Sequence, residues 1–339
     1  MREQELLEAV RHGDERAFSQ LIALHRSALH AHCYRMLGSV HDAEDALQDA
    51  LLNAWRALPR FEGRSSLKSW LYTISTNACL KTIERRPKRV LPIDYGSAAD
   101  PHDPLAKPLS ESVWLEPYPD IGIELEDRLA SPDARYEQRE GVELAFVAAL
   151  QLVPARQRAV LILRDVLGFS AKEVAGTLGM TPAAVDTALQ RAHKTADERL
   201  PARSQQATLK ALGDERLREI VDGFVDAWER ADVDSVVAML AHDATITMPP
   251  QPTWCRGRDA IASFLRAVPL ATGARWRLLP AAANGQLAFG EYRWNETTKR
   301  FVGRAVMVLT IADALIADIT AFGSPELLAH FGLPEQLEA

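Results

Sequence analysis

The tetrapeptide Gly179-Met180-Thr181-Pro182 leaves the chain around it little choice of path. Glycine readily adopts the left-handed backbone that closes a helix C-terminus. Threonine then offers an oxygen to cap the next helix, and proline at the first helical position sacrifices no hydrogen bond. Apolar residues recur at helical spacing on both sides of this break. Upstream, Val174, Ala175 and Leu178 form one stripe on a helix beginning at Ser170. Downstream, Val185, Leu189, Ala192 and Ala196 form another, so that Thr187, Gln190, Arg191 and Lys194 face outward, with Thr181 at the start. Within Leu152–Leu200 this pattern reads as a helix-turn-helix, whose second helix can enter a DNA major groove. An ordinary helical hairpin with a solvated face has the same local pattern, and the segment alone leaves both readings open.

A net charge of −7 over 339 residues argues against nucleic acid only until it is divided along the chain. Residues 1–89 carry +3, 90–140 carry −8, 141–203 carry +2 and 204–339 carry −4. Two mildly basic blocks therefore flank an acidic connector, and local basic patches set phosphate affinity. The length predicts two or three domains, and a hydrophobic share of 47% supplies ample core. No apolar run of membrane-spanning length occurs and no apolar segment follows the charged start, so a cytoplasmic protein without a membrane partner is expected. Cys33, Cys79 and Cys255 lie apart with no CxxC pair, and His25, His30 and His32 have no acid or thiol at a ligand spacing. No metal and no cofactor is expected.

Helical periodicity dominates from Ala17 to about Arg86. Gly38 closes one helix, and Asp42 is placed to cap a second, whose stripe is Ala43, Leu47, Ala50, Leu51, Ala54 and Leu58. After the polar loop Pro59–Ser66, a third helix runs towards Pro87. Residues 90–140 are rich in proline and acid, as in a linker, with one segment, Trp114–Asp120, suited to docking. Helices resume from about Ser131 to Leu200. Beyond Pro201 come an amphipathic helix (216–230), a short helix (233–240) and five strand-like runs, the last two fitting a hairpin across Asp313–Ala314. This order makes an α+β domain.

Two surfaces carry chemistry. The end of the third helix, Lys81–Arg89, holds five basic residues against one acid and follows Trp70 and Tyr72. Positive charge near aromatics can hold phosphates while unpaired bases stack, although Trp70 in a core would read the same way. Asp42, Glu44, Asp45 and Asp49 load the preceding helix with acid, which suits its N-terminus and would repel DNA. That face is better matched to a basic protein.

Taken in order, the helix DAEDALQDALLNAWRAL, the loop PRFEGRSS, the helix LKSWLYTISTNACLKTIERR, the acidic linker and the helix-turn-helix resemble the extracytoplasmic-function sigma factors of bacterial RNA polymerase. The resemblance covers roughly Ala17–Pro87 and Val142–Leu200. It implies a region 2 (1–89), a linker (90–140) and a region 4 (141–203). It further implies that Asp45, Gln48, Asp49 and Leu52 dock on the β′ coiled coil of core polymerase, with region 4 near the β flap. Phe61, Arg64, Trp70, Tyr72, Asn77, Lys81, Arg85 and Arg86 would melt and hold the single-stranded −10 element. Thr181, Thr187, Gln190, Arg191 and Lys194 would read the −35 element as duplex. Many relatives carry arginines where this chain has Asp186, Ala188 and His193. Asp186 would sooner accept from a cytosine amino group than meet a phosphate, so a different −35 sequence is expected.

Residues 204–339 resemble the SnoaL-like branch of NTF2-like folds, through FVDAWERADVDSVVAMLAHDATITMPPQPTWCRGRDAIASFL and ITAFGSPELLAHFGLP. The expected architecture is multidomain: two all-α sigma domains, the second a helix-turn-helix, followed by an α+β SnoaL/NTF2-like cone. Met248, Trp254, Trp276, Phe289, Tyr292 and Phe322 either line a ligand pocket in the cone or form solid core. His242 and Asp243 sit at a helix end, and no acid–base couple stands out, so no catalysis is expected. The whole reads as a non-enzymatic initiation factor whose last domain modulates it in cis. The rivals are a stand-alone helix-turn-helix regulator and a SnoaL-like cyclase or isomerase-type enzyme fused to a transcription module.

Overall fold

The computed structural model describes residues 3–63, 65–100, 105–110, 113–120 and 141–338. They form two compact units, one of residues 3–89 with 141–200 and one of residues 90–120 with 201–338.

The first unit is entirely helical. It opens with α1 (Glu3–Arg11), α2 (Glu15–Ala23) and α3 (Arg26–Leu37), followed by α4 (Val40–Ala57) and α5 (Leu67–Ile83). Periodicity from Ala17 misses α1, and α2 starts where the Asp14 carboxylate accepts from the Arg16 and Ala17 amides. Ser39, not Asp42, caps α4: its hydroxyl accepts from the Asp42 amide, leaving Asp42 in the first turn and buried. The stripe expected on α4 is inward, with Ala43, Leu47, Ala50, Ala54 and Leu58 buried and Leu51 half-buried. The third predicted helix stops at Ile83 instead of reaching Pro87, in keeping with proline's resistance to a helical residue before it. Cys33 and Cys79, distant in sequence, adjoin in this core, where burial and the neighbouring thiol push Cys79 up.

The same unit continues with α6 (Leu144–Leu152), α7 (Ala155–Leu161), a π-helical turn (Ile162–Val166), α8 (Ala171–Leu178) and α9 (Pro182–Asp197). The helix start expected near Ser131 lies outside the described residues. Two buried arginines stitch these helices to α3. Arg35 donates to the Gly141 carbonyl at 2.8 Å. Arg158 donates to the carbonyls of Met36, Gln151 and Val153 and to the Gln151 side chain. Burial lowers Arg158 to about 10, so it stays charged at neutral pH. Guanidinium groups that donate to carbonyls in this way offset part of the penalty of burying either partner.

The second unit is α+β. Helix α10 (Gln205–Glu229) breaks at Gly213, where φ is 75° and ψ 163°, and is followed by α11 (Val233–Ala238) and α12 (Arg258–Ala267). Its sheet contains β1 (Leu240–Thr247), β2 (Trp254–Arg256), β3 (Trp276–Ala283), β4 (Gln286–Asn295), β5 (Arg300–Ala312), β6 (Leu315–Phe322) and β7 (Gln336–Leu337). The order is β2-β1-β6-β5-β4-β3 with β7 on β5; β1 and β6 run parallel and the other pairs antiparallel. The hairpin expected across Asp313–Ala314 is present, with both residues at positive φ, as a type I′ turn demands. Asn284-Gly285 makes a second such turn between β3 and β4. Phe224 and Trp228 of α10 pack with Ile261 and Leu265 of α12 over Phe289, Leu309 and Ile319 of the sheet.

The segment Trp114–Asp120 belongs to this unit and is strapped to the β3–β4 turn. Tyr118 and Asn284 exchange two 2.8 Å hydrogen bonds, and the Asp120 carboxylate accepts from the Gly285 amide at 2.9 Å. Trp114, Leu115 and Tyr118 are buried.

Candidate nucleic-acid and polymerase interface

The helix-turn-helix takes the form its local chemistry requires. Ser170 and Glu173 build a reciprocal capping box at the start of α8, an arrangement contributing about 1 kcal/mol. The Ser170 hydroxyl and amide hold the Glu173 carboxyl below its usual range. Gly179 closes α8 at φ 62°, and the Thr181 hydroxyl accepts from the Ala184 amide to start α9 at Pro182. On α9 Val185, Ala188, Ala192 and Ala196 are buried and Leu189 is half-buried. Ala188 therefore belongs to the packed stripe, beside Leu189. Thr181, Asp186, Thr187, Gln190, Arg191 and Lys194 are exposed. His193, also exposed, pairs with Asp165 at 2.7 Å, which keeps it close to its own unit.

In α4, Asp45, Gln48, Asp49 and Leu52 are all exposed and spaced i, i+3, i+4 and i+7, so they form one stripe. Leu52 is 55% exposed, an apolar side chain set at the end of an acidic row. Asp42 is not part of that surface. It is 2% exposed and accepts from Arg89 Nε at 3.0 Å and Nη2 at 2.6 Å, while Arg86 approaches its other oxygen. Two of the five basic residues in Lys81–Arg89 are thus engaged within the protein. Arg86 stays partly exposed, at 42%, and lies 3.9 Å from Asp45.

Asn77, Lys81 and Arg85 are exposed and follow one another at intervals of four along the end of α5. Phe61 and Trp70 are half-buried with ring centroids 5.1 Å apart, and Arg11 donates to the Phe61 carbonyl at 2.8 Å. This pair forms an aromatic shelf beside the loop. Arg64, expected next to it, lies outside the described residues.

Tyr72 occupies a different environment from the one expected. It is 3% exposed, edge-on to His32 at 5.2 Å and to Phe169 at 5.5 Å. The helix that carries it is covered on a second side by α8: Ser69 donates to Glu173 at 3.2 Å and the Thr73 and Thr177 hydroxyls meet at 2.9 Å. In this conformation Tyr72 cannot stack on a base. His32, sealed beneath it against Thr76 at 2.9 Å, is lowered to about 3 by burial and by Arg35, and is neutral at physiological pH.

Chain similarity agrees with this division. The model for Sigma-70 region 2 matches residues 21–89, that for Sigma-70 region 4 matches 143–195, and the SnoaL-like domain model matches 221–319. The ECF RNA polymerase sigma factor SigG of Mycobacterium tuberculosis is 39% identical over 330 residues, covering 96% of this chain and 86% of that protein. The chain belongs to the extracytoplasmic-function RNA polymerase sigma factors. Another relative, SigM of Mycobacterium tuberculosis, is 32% identical over 188 residues, covering 56% of this sigma factor and 79% of its own length. The crystal structure of the Mycobacterium tuberculosis sigma factor SigJ shares the fold, with a TM-score of 0.57 at 22% identity, over 93% of this chain and 99% of that one.

The appended α+β domain of this sigma factor contains a cavity of about 390 Å³. Of the six residues expected there, Met248 and Trp276 line it. The other four do not line it, each for a physical reason. Phe289 is core, packed on Phe224 at 5.9 Å. Tyr292 lies on the opposite face of β4, its hydroxyl donating to Pro334. Trp254 donates its indole N–H to Gly96, and Phe322 is buried across from Val306. Sequence reasoning missed Glu291, which lines the cavity at 6% exposure and which burial pushes up to about 7. The signal was present: Phe289, Glu291 and Arg293 alternate onto one face of a strand, putting a charge among inward positions. Among the described residues no His, Cys, Asp and Glu cluster fits a metal, and no helix is long and apolar enough to cross a membrane.

Proposed function

We propose that this sigma factor recruits core RNA polymerase through the Asp45, Gln48, Asp49 and Leu52 stripe, against the β′ coiled coil, with its region 4 near the β flap. Residues 1–89 act as the −10 module, 90–140 as the linker, 141–203 as the −35 module and 204–339 as a regulatory domain. The observation that carries the reading is the recognition helix itself: α9 buries Val185, Ala188, Ala192 and Ala196 while Thr187, Gln190, Arg191 and Lys194 are exposed to meet base edges and phosphates, the Thr187 hydroxyl donating meanwhile to the Ala183 carbonyl. Asn77, Lys81 and Arg85 track the single strand, and the Phe61–Trp70 shelf receives an unstacked base. Tyr72 joins them only if α5 is uncovered from α8. The role is one of binding and positioning in the cytoplasm, where the polymerase acts, and needs no catalysis by the protein.

Modulation in cis is supported by the strap between Tyr118, Asp120 and the Asn284-Gly285 turn, which ties the linker to the last domain. Run-off transcription with core polymerase, the intact chain and a library of promoter fragments tests the assignment. Defined start sites that disappear with Asp45→Arg support it, and DNA binding without initiation contradicts it.

A further inference from the structure

The cavity of the α+β domain combines apolar walls with buried polar groups. Ile246, Met248, Ile319, Ala321 and Trp276 supply the walls. Trp228, 1% exposed, also lines it, and its indole N–H leans on the Glu291 carboxyl without completing a well-formed hydrogen bond. The Gln251 side-chain oxygen is likewise buried without a donor. A buried, unmatched acceptor costs free energy that a ligand donor can recover.

Charge is arranged in depth. Glu291 is buried, whereas Arg293 and Arg304 line the cavity and stay exposed, which places both guanidinium groups on its solvent side. Arg293 is steadied over the Trp276 ring at 5.6 Å. Arg304 owes its position to an irregularity: Glu291 pairs with Ala305 and Tyr292 with Gly303, leaving Arg304 as the extra residue of a β-bulge. Bulges re-aim side chains that regular alternation would send elsewhere. Here the result is a second cation beside the same opening.

We propose that this cavity binds a small hydroxy-substituted carboxylic acid, with its carboxylate on Arg293 and Arg304, its apolar body on the walls and its hydroxyl between Glu291 and the Trp228 indole N–H. Planar guanidinium pairs suit a carboxylate, and the size lies in the range of small-molecule sites. Leu105 and Pro108 complete the lining from a segment fixed by hydrogen bonds from the Leu109 amide to Pro250 and from the Ala106 amide to the Thr253 hydroxyl. An occupant therefore touches the linker segment directly. Binding at this site does not depend on promoter recognition.

Isothermal titration of the full chain with 3-hydroxyoctanoate, octanoate and octane-1,3-diol tests the assignment. Saturable one-site binding of 3-hydroxyoctanoate is expected, weakened at least about ten-fold in Arg304→Ala and for the diol, as loss of a charge-assisted hydrogen bond implies. Glu291→Leu should abolish the preference for the hydroxy acid over octanoate. Hydrogen exchange of the Leu109 amide should slow on binding. Arg304 is exposed, so its variant keeps the fold, which a thermal melt verifies. No saturable binding of 3-hydroxyoctanoate, or equal affinity in Arg304→Ala, overturns the proposal; a diol that binds as tightly overturns the carboxylate assignment.

Discussion

Arg89 reaches across to Asp42 and donates two hydrogen bonds to one carboxylate oxygen, at 3.0 and 2.6 Å, with both side chains buried. This pair ties the end of the basic run to the start of the acidic helix, 47 residues earlier. It separates each run into a structural part and a part left for partners. Removing Asp42 alone takes from a buried guanidinium the carboxylate that accepts two of its hydrogen bonds. Asp42→Ala should cost about 3 kcal/mol in the urea unfolding of the helical unit, and Asp42→Leu combined with Arg89→Met should recover most of it. Equal stability of the single variant and the parent would show the pair to be dispensable.

Asp45 offers the opposite case. It is exposed and, among the described residues, its only ion-pair contact is Arg86 at 3.9 Å, so Asp45→Arg should change stability by less than about 0.5 kcal/mol. Its affinity for core polymerase, measured by fluorescence anisotropy, should nevertheless fall by at least about ten-fold through like-charge repulsion. A drop in both quantities would point to misfolding instead of a lost contact.

On α9, side chains that meet base edges and those that meet phosphate should separate by salt. Gln190→Ala should relax preference at one −35 position and cost about 1–3 kcal/mol on the best sequence. Lys194→Ala should weaken all sequences alike and reduce the salt slope by about one. Binding titrations over a salt series distinguish them, and a uniform effect of Gln190→Ala would remove it from the reading set.

The two units should respond to pH in opposite directions. Burial raises Glu291 from 4.5 to about 7, so its proton is held more tightly in the folded state. That stabilisation is complete below pH 4.5 and is lost as pH rises through 7, to a total of about 3 kcal/mol at most. His32 is lowered from 6.5 to about 3, so its contribution is complete above pH 6.5 and is lost as pH falls towards 3. Unfolding followed at several pH values should show the α+β domain weakening from pH 5 to 7.5 while the helical unit strengthens over the lower part of that range. Glu291→Gln should flatten the first trend, and an unchanged slope would contradict the assignment.

How much of this was legible in the sequence follows distance along the chain. Ser170 with Glu173, Gly179, and Thr181 with Pro182 act within four residues, so the helix-turn-helix could be drawn before its coordinates. The Asp313–Ala314 hairpin was readable for the same reason. Burial of Asp42 depends on Arg89, and burial of Tyr72 depends on Phe169; neither partner is near in sequence, and both residues were taken for surface. On α9 the stripe was read through Leu189, whereas both i+3 and i+4 from Val185 turn inward and Ala188 is the more buried of the two. In the cone, aromatic type was a poor guide, since strand parity sends Tyr292 to the face away from the cavity, where it is buried, and Glu291 towards the cavity. The bulge that turns Arg304 towards the cavity has no local sequence mark.

The most direct measurement is the mapping of transcription start sites made by core polymerase with this protein on a promoter library. The account predicts initiation that requires the protein, fails with Asp45→Arg, and shifts its −35 preference with Asp186→Arg. Start sites that are the same with and without the protein, or a −35 preference indifferent to residue 186, would contradict it.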